Sequence, residues 1–204
     1  MQLQSPLTLV TAALDGHVLT ALTRVDTWLT TPQIRASLSS FSDEGIRKVL
    51  RRLVEQGIVE AETVGRTSHY RLNRQHLAAA PLVALVDLDR ELLRRLSAHV
   101  SAWHVAPVYA SLFGSAAGGA MRPDSDIDIF LVSPDAADPD VWDQQTLELA
   151  RQVTLWTGND ARVLDMTESE VRHFGRDEPV VADIVAARHA RFAGPPRWLG
   201  AAVG

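Results

Sequence analysis

The stretch "SLFGSAAGGAMRPDSDIDIFLV", running from Ser111 to Val132, decides how the second half of the chain is read. Its end, "DIDIFLV", is an apolar run of strand length. Side chains alternate along a strand, so Ile127, Ile129 and Leu131 share one face while Asp126 and Asp128 share the other. Two carboxylates therefore stand side by side. They repel at neutral pH, and burying them unpaired is costly, so a cation between them resolves the conflict. Oxygen donors suit Mg2+, which characteristically takes one or two carboxylates together with substrate phosphates. The first half of the stretch leaves room for such phosphates. Gly114 permits close backbone approach, Ser115 offers a hydroxyl and an N–H, and Gly118 and Gly119 leave space for a bulky anion.

The flanks extend the pattern. "PVYASLF" reads as a mostly buried strand before Gly114. Beyond the acids, "VWDQQTLELARQVTLW" reads as a helix with Trp142, Leu149, Val153 and Trp156 on one side, ended by Gly158 and followed by the strand "ARVLDM". Gly-Ser, ten intervening residues and then Asp-x-Asp on a hydrophobic strand resembles the nucleotidyltransferase superfamily of DNA polymerase beta, and particularly its minimal nucleotidyltransferases. The likeness rests on "GSAAGGAMRPDSDIDIFLV" and covers roughly residues 82 to 194.

That resemblance implies roles for named residues. Gly114 and Ser115 would hold the β- and γ-phosphates of a nucleoside triphosphate. Asp126 and Asp128 would bind two Mg2+ ions, the arrangement that clamps an α-phosphate, activates an attacking hydroxyl and stabilises departing pyrophosphate. A third carboxylate from a later strand completes such sites, and here Asp165 is the candidate and Asp160 its competitor. Two features depart from the family pattern. Gly118 stands where many members carry an arginine, with Arg122 nearby, and the strand around Asp165 differs from the usual "V-D-L-V".

The N-terminal third has a different character. Residues 1–80 hold 9 Lys or Arg against 7 Asp or Glu, whereas residues 81–204 hold 11 against 18, within an overall net charge of −5. Val18, Leu19, Leu22 and Val25 recur at helical spacing behind Asp15, the expected N-cap. Thr31 as N-cap and Pro32 as first helical residue open a short second helix, and "SSFS" punctuates the chain after it. From Asp43 to Gln56, Ile46, Val49, Leu50 and Leu53 form one apolar stripe, with Ser42 as cap and Gly57 as terminator. The opposite face bears Arg47, Lys48, Arg51 and Arg52, two i, i+4 pairs of like charge that repel unless an anion neutralises them. "IVEAETVG" and "RTSHYRL" then read as a hairpin turning at Gly65 and Arg66.

This order of elements resembles the winged-helix repressors of bacteria over roughly residues 13 to 75. It implies binding to double-stranded DNA, with Ser42, Arg47, Lys48 and Arg51 on the groove-entering helix and Arg66 at the wing tip. By the same analogy the protein is expected to be a homodimer. A winged helix used only for protein contacts is the blander reading of the same pattern.

A boundary is expected near residues 76 to 81, giving a DNA-binding domain over 1–78 and a nucleotidyltransferase domain over 79–204. Leu85, Leu88, Leu92, Leu96 and Val100 form a stripe after it, free to pack on either domain or on a second subunit. The expected fold is α+β: a winged helix, then a small mixed sheet flanked by helices. The histidines lack metal-ligand spacing, the five tryptophans read as packing residues, and "GPPRWLGAAVG" reads as a tail that Trp198 could tie down. With 46% hydrophobic residues, no apolar run of membrane length, no cysteine and no basic leader in "MQLQSPLTLV", a cytoplasmic protein without disulfides or membrane partners is expected.

The function these readings imply is a DNA-binding protein that moves a nucleoside monophosphate from a nucleoside triphosphate to a hydroxyl on protein, RNA or a small molecule, with Mg2+. The alternatives are a transcriptional regulator whose nucleotidyltransferase domain is a weak or inactive nucleotide sensor, or a toxin–antitoxin component.

Overall fold

The first helix, α1 (Leu14–Thr23), begins at Ala13, which offers no side-chain cap. Asp15, expected as the cap, lies inside the first turn, where its charge suits the helix dipole and pairs with Arg52. A two-residue strand, β1 (Leu29–Thr30), leads into α2 (Thr31–Ala36). Here the cap is Thr30 rather than Thr31, because Gln33 closes a capping box on it. The next helix, α3 (Asp43–Glu55), starts where its sequence directs, with Ser42 Oγ accepting from the Gly45 amide at 3.1 Å. Its whole apolar stripe is buried. The hairpin comes next as β2 (Val59–Val64) and β3 (Thr67–Leu72), and β1 adds to β3, giving the sheet order β1-β3-β2. Gly65 sits first in the two-residue turn at φ +64°, the position a type II′ turn reserves for glycine.

A further helix, α4 (Ala79–Val86), contributes Ala79 to the same core as Val18, Leu22, Ile34, Ile46, Leu50 and Leu72. Accordingly the chain divides into two compact units between Leu88 and Asp89. Gln4–Leu88 with Gln2 form one compact unit, and Asp89–Gly204 with Met1 and Leu3 form the other. The structure is a computed structural model, and it describes every residue except Ala12, Ser39, Pro123, Arg176, Ala187, Arg188 and Gly204. Ser39 of "SSFS" and Pro123 of the glycine-rich stretch therefore lie outside the described residues.

The second unit is built on α5 (Leu88–Ser101), β4 (Tyr109–Phe113), α6 (Gly114–Gly118), β5 (Ile127–Ser133), α7 (Pro139–Thr157), β6 (Ala161–Thr167), α8 (Glu168–Phe174), α9 (Pro179–Ala186), β7 (Ala190–Ala193) and α10 (Trp198–Val203). Asp87 separates α4 from α5, so the expected leucine stripe is split and only Leu92, Leu96 and Val100 enter this unit's core. Its sheet has the order β6-β5-β4-β7. β5 runs parallel to β6 and antiparallel to β4, and β7 closes the β4 edge antiparallel. The sheet is therefore mixed, with helices on both faces.

Alternation along β5 sorts those faces. Ile127, Ile129 and Leu131 pack with Leu92, Leu96 and Val100 of α5 and with Trp142, Leu149 and Val153 of α7. Phe130 and Val132 pack instead with Tyr109, Val171, Val181, Ile184 and Leu199. The expected tail is thus partly helix, held by buried Leu199 and by Trp198, which stacks on Tyr109 at 5.8 Å. Trp103 and Trp142 meet edge to face at 5.6 Å, as packing residues do. Among the described residues no helix is long and apolar enough to cross a membrane.

Candidate functional site

β4 and β5 pair so that Phe113 faces Asp128, which brings the residue after Phe113 directly against that acid. Gly114 adopts φ +63° there, and a Cβ added to it would stand 2.5 Å from Asp128 Oδ2. A side chain there would have to displace that carboxylate oxygen. The backbone conformation alone would cost a non-glycine residue about 1–2 kcal/mol. The segment expected as a loop is a single helical turn, α6, ended by Gly119 in the left-handed conformation. Ser115 lies in this turn, partly buried, and its carbonyl accepts from the Gly119 and Ala120 amides.

Asp126 and Asp128 share the face on which Phe130 and Val132 lie. Burial raises the Asp128 carboxyl above the usual carboxylate range, and the neighbouring Asp126 charge raises it further, against a smaller opposing pull from Arg162. Arg162 is the residue on β6 paired with Asp128 in the parallel register. Its guanidinium Nη2 stands 2.9 Å from Asp126 Oδ2, on a side chain that is 73% exposed. The approach to Asp126 is fixed from behind. The Arg122 amide donates to Ser125 Oγ at 2.8 Å, and the side chain of buried Asn159 donates to the Ser125 carbonyl at 2.8 Å.

The structure does not bring Asp165 to this pair. Asp165 is registered with Leu131, so it projects to the opposite face of the sheet, where its Oδ2 accepts from Trp142 Nε1 at 3.0 Å. Asp160 is exposed just ahead of β6, and its carbonyl accepts from the Ile127 amide at 2.8 Å. Strand phase puts Asp160 on the side of Arg162. Among the described residues, no group of three or more His, Asp or Glu side chains is gathered to hold a metal. The donor set present, two adjacent carboxylates with one guanidinium, fits one divalent cation completed by phosphate oxygens. It does not fit two ions bridged by three acids.

Sequence reasoning does not single out Arg162 or Asn159. Alternation within "DARVLD" groups 160, 162 and 164 on one face, yet which face meets Asp128 depends on the register with β5, and no local pattern encodes that.

In the N-terminal unit, Arg47, Lys48 and Arg51 are exposed along α3, and Arg66 is exposed at the hairpin tip. Arg52 is taken by Asp15, and Arg35 pairs with Asp43 at 2.7 Å. Ser42 spends its hydroxyl on the cap of α3.

One solved structure similar to this chain is described as "Crystal structure of the toxin-antitoxin with AMP-PNP"; it is 20% identical over 55% of this chain and 79% of that chain, at a TM-score of 0.37. No curated protein matches the chain. Residues 90–172, from α5 to α8 and including Gly114, Ser115, Asp126, Asp128 and Arg162, match the family model described as a nucleotidyltransferase domain.

Proposed function

We propose that the second unit binds a nucleoside triphosphate with Mg2+ over Gly114, Ser115, Asp126 and Asp128, and transfers its nucleoside monophosphate to a hydroxyl acceptor. The observation that carries this reading is the packing of Gly114 against Asp128, which sets a glycine at the head of the α6 turn beside the two acids. The family match over residues 90–172 supports the reaction class.

Each residue has a task in that reading. Gly114 gives the polyphosphate its closest approach to the backbone, and Ser115 donates to it. Asp126 and Asp128 supply the anionic oxygens that hold the cation against the phosphates. Mg2+, when bound, supplies Lewis-acid polarisation of the phosphoryl oxygens. Arg162 reaches the same face and neutralises charge there. Asp165 stays out of the site and secures Trp142.

The first unit is proposed as a winged helix that binds double-stranded DNA through Arg47, Lys48, Arg51 and Arg66, in a homodimeric, cytoplasmic protein. The helix, basic helix and hairpin order of Gln4–Leu88 supports this.

The test is incubation of the full chain with labelled ATP, CTP, GTP or UTP, Mg2+ and a lysate of acceptors. Labelling above that of an Asp126→Ala, Asp128→Ala double variant is the expected result; equal labelling sinks the transfer reading. A second reading, a regulator that holds nucleotide without turnover, is favoured by the Arg162–Asp126 ion pair and by the position of Asp165. Calorimetry distinguishes the two. The regulator binds nucleotide and changes its DNA affinity while the nucleotide stays intact.

A further inference from the structure

We propose that Arg162 takes over the charge of one of two metal ions, so that the nucleotide is held by a single divalent cation and a guanidinium. This deepens the reading of the second unit and rests on it. Three facts carry it. Arg162 is the β6 residue paired with Asp128, so it occupies the one β6 position that projects beside both acids from the neighbouring strand. Its guanidinium is already 2.9 Å from Asp126. The only carboxylate within β6, Asp165, is turned to the other face and bound to Trp142, and Asp160, on the Arg162 side just before β6, is not gathered with the two acids among the described residues.

The charge of the third group decides how many cations the site can hold. Two acids and a third carboxylate would give a site three negative charges against the four positive charges of two divalent ions, leaving one positive charge toward the polyphosphate. With an arginine in the third place the protein contributes one net negative charge, and the change between these states equals the charge of one divalent cation. A second cation would have to sit against the guanidinium, whose like charge repels it. A planar guanidinium instead matches a phosphate oxygen pair, and it is well suited to that geometry. The 73% exposure of Arg162 leaves its side chain room to turn from Asp126 to an arriving polyphosphate.

The experiment counts ions and nucleotide on the full chain, without relying on turnover. Mn2+ is titrated by electron paramagnetic resonance in the presence of an α,β-methylene nucleoside triphosphate, and the nucleotide Kd is measured in parallel by calorimetry. Wild-type protein is expected to take up one nucleotide-dependent Mn2+ per chain. Arg162→Asp is expected to take up two. Arg162→Ala is expected to keep one and to bind the nucleotide about tenfold more weakly, the scale of a lost charge-assisted contact, with Arg162→Lys recovering part of that loss. Arg162→Ala also guards against misfolding of the aspartate variant, and thermal melts check both. Two ions in the wild type, one ion in Arg162→Asp when its melt is intact, or nucleotide bound as tightly by Arg162→Ala would overturn the proposal while leaving the nucleotide reading standing. No nucleotide-dependent Mn2+ on the wild type removes both.

Discussion

Asp128 is held in a place that disfavours its charge. Burial contributes most, Asp126 adds to it, and Arg162 offsets part. With a folded-state pKa above the unfolded one, the native state binds its proton more tightly. The stability this gives is fully present below the unfolded pKa and is lost as pH rises through the raised folded value. Asp128→Asn removes the titration, so its Tm near neutral pH is expected to exceed that of the wild type. The fall in stability across the carboxylate range should also flatten. Circular dichroism melts from about pH 4 to about pH 8 read both, bracketing the ordinary carboxylate range; an unchanged slope with a lower Tm refutes this account of the acid. Gly114 belongs to the same local problem. A Cβ at this position would overlap Asp128 Oδ2, so a side chain at 114 would push the carboxylate from its place.

At the scale of elements, α3 shows why some of this fold could be read from sequence. Ser42, the Ile46, Val49, Leu50 and Leu53 stripe and the turn after Gln56 all act within residues 42–57, and the structure uses each of them. Its basic face gives a prediction. Arg47 and Lys48 are exposed, whereas Arg52 is already paired with Asp15. In gel-shift titrations against promoter fragments, Arg47→Ala and Lys48→Ala are each expected to weaken binding and to lower the salt slope by about 1, while Arg52→Ala leaves that slope unchanged. Salt-insensitive binding in the wild type counts against a DNA role for α3. The acid pair on β5 was legible for the same reason as α3, since strand alternation is local. Which face of β6 meets those acids was not, because that is set only by its pairing with β5 across the whole of α7. That is why Arg162, and not Asp165, stands beside the acids. The single turn of α6 escaped notice as well: small residues between glycines carry no helical periodicity. Asp15 misled as a cap because an acid near a helix start serves equally well inside the first turn.

At the scale of the molecule, the division between Leu88 and Asp89 gives each unit its own core. Residues 4–88 alone are therefore expected to melt in one cooperative transition and, if the proposed winged helix binds DNA, to match the full chain in gel shifts at each salt concentration. Thermal denaturation monitored by circular dichroism checks the first expectation and gel shifts the second. A broad, non-cooperative melt would show that this core depends on the other unit. The order β6-β5-β4-β7 has a consequence for how the second unit is made. Ala110 pairs with Leu131 on one side and with Ala193 on the other. The first pairing closes a short loop, whereas the second must gather chain from across most of the unit and so carries the larger entropic delay. During synthesis, Gly114 and Asp128 can be side by side while the β4 edge still waits, unpaired, for β7 to be added.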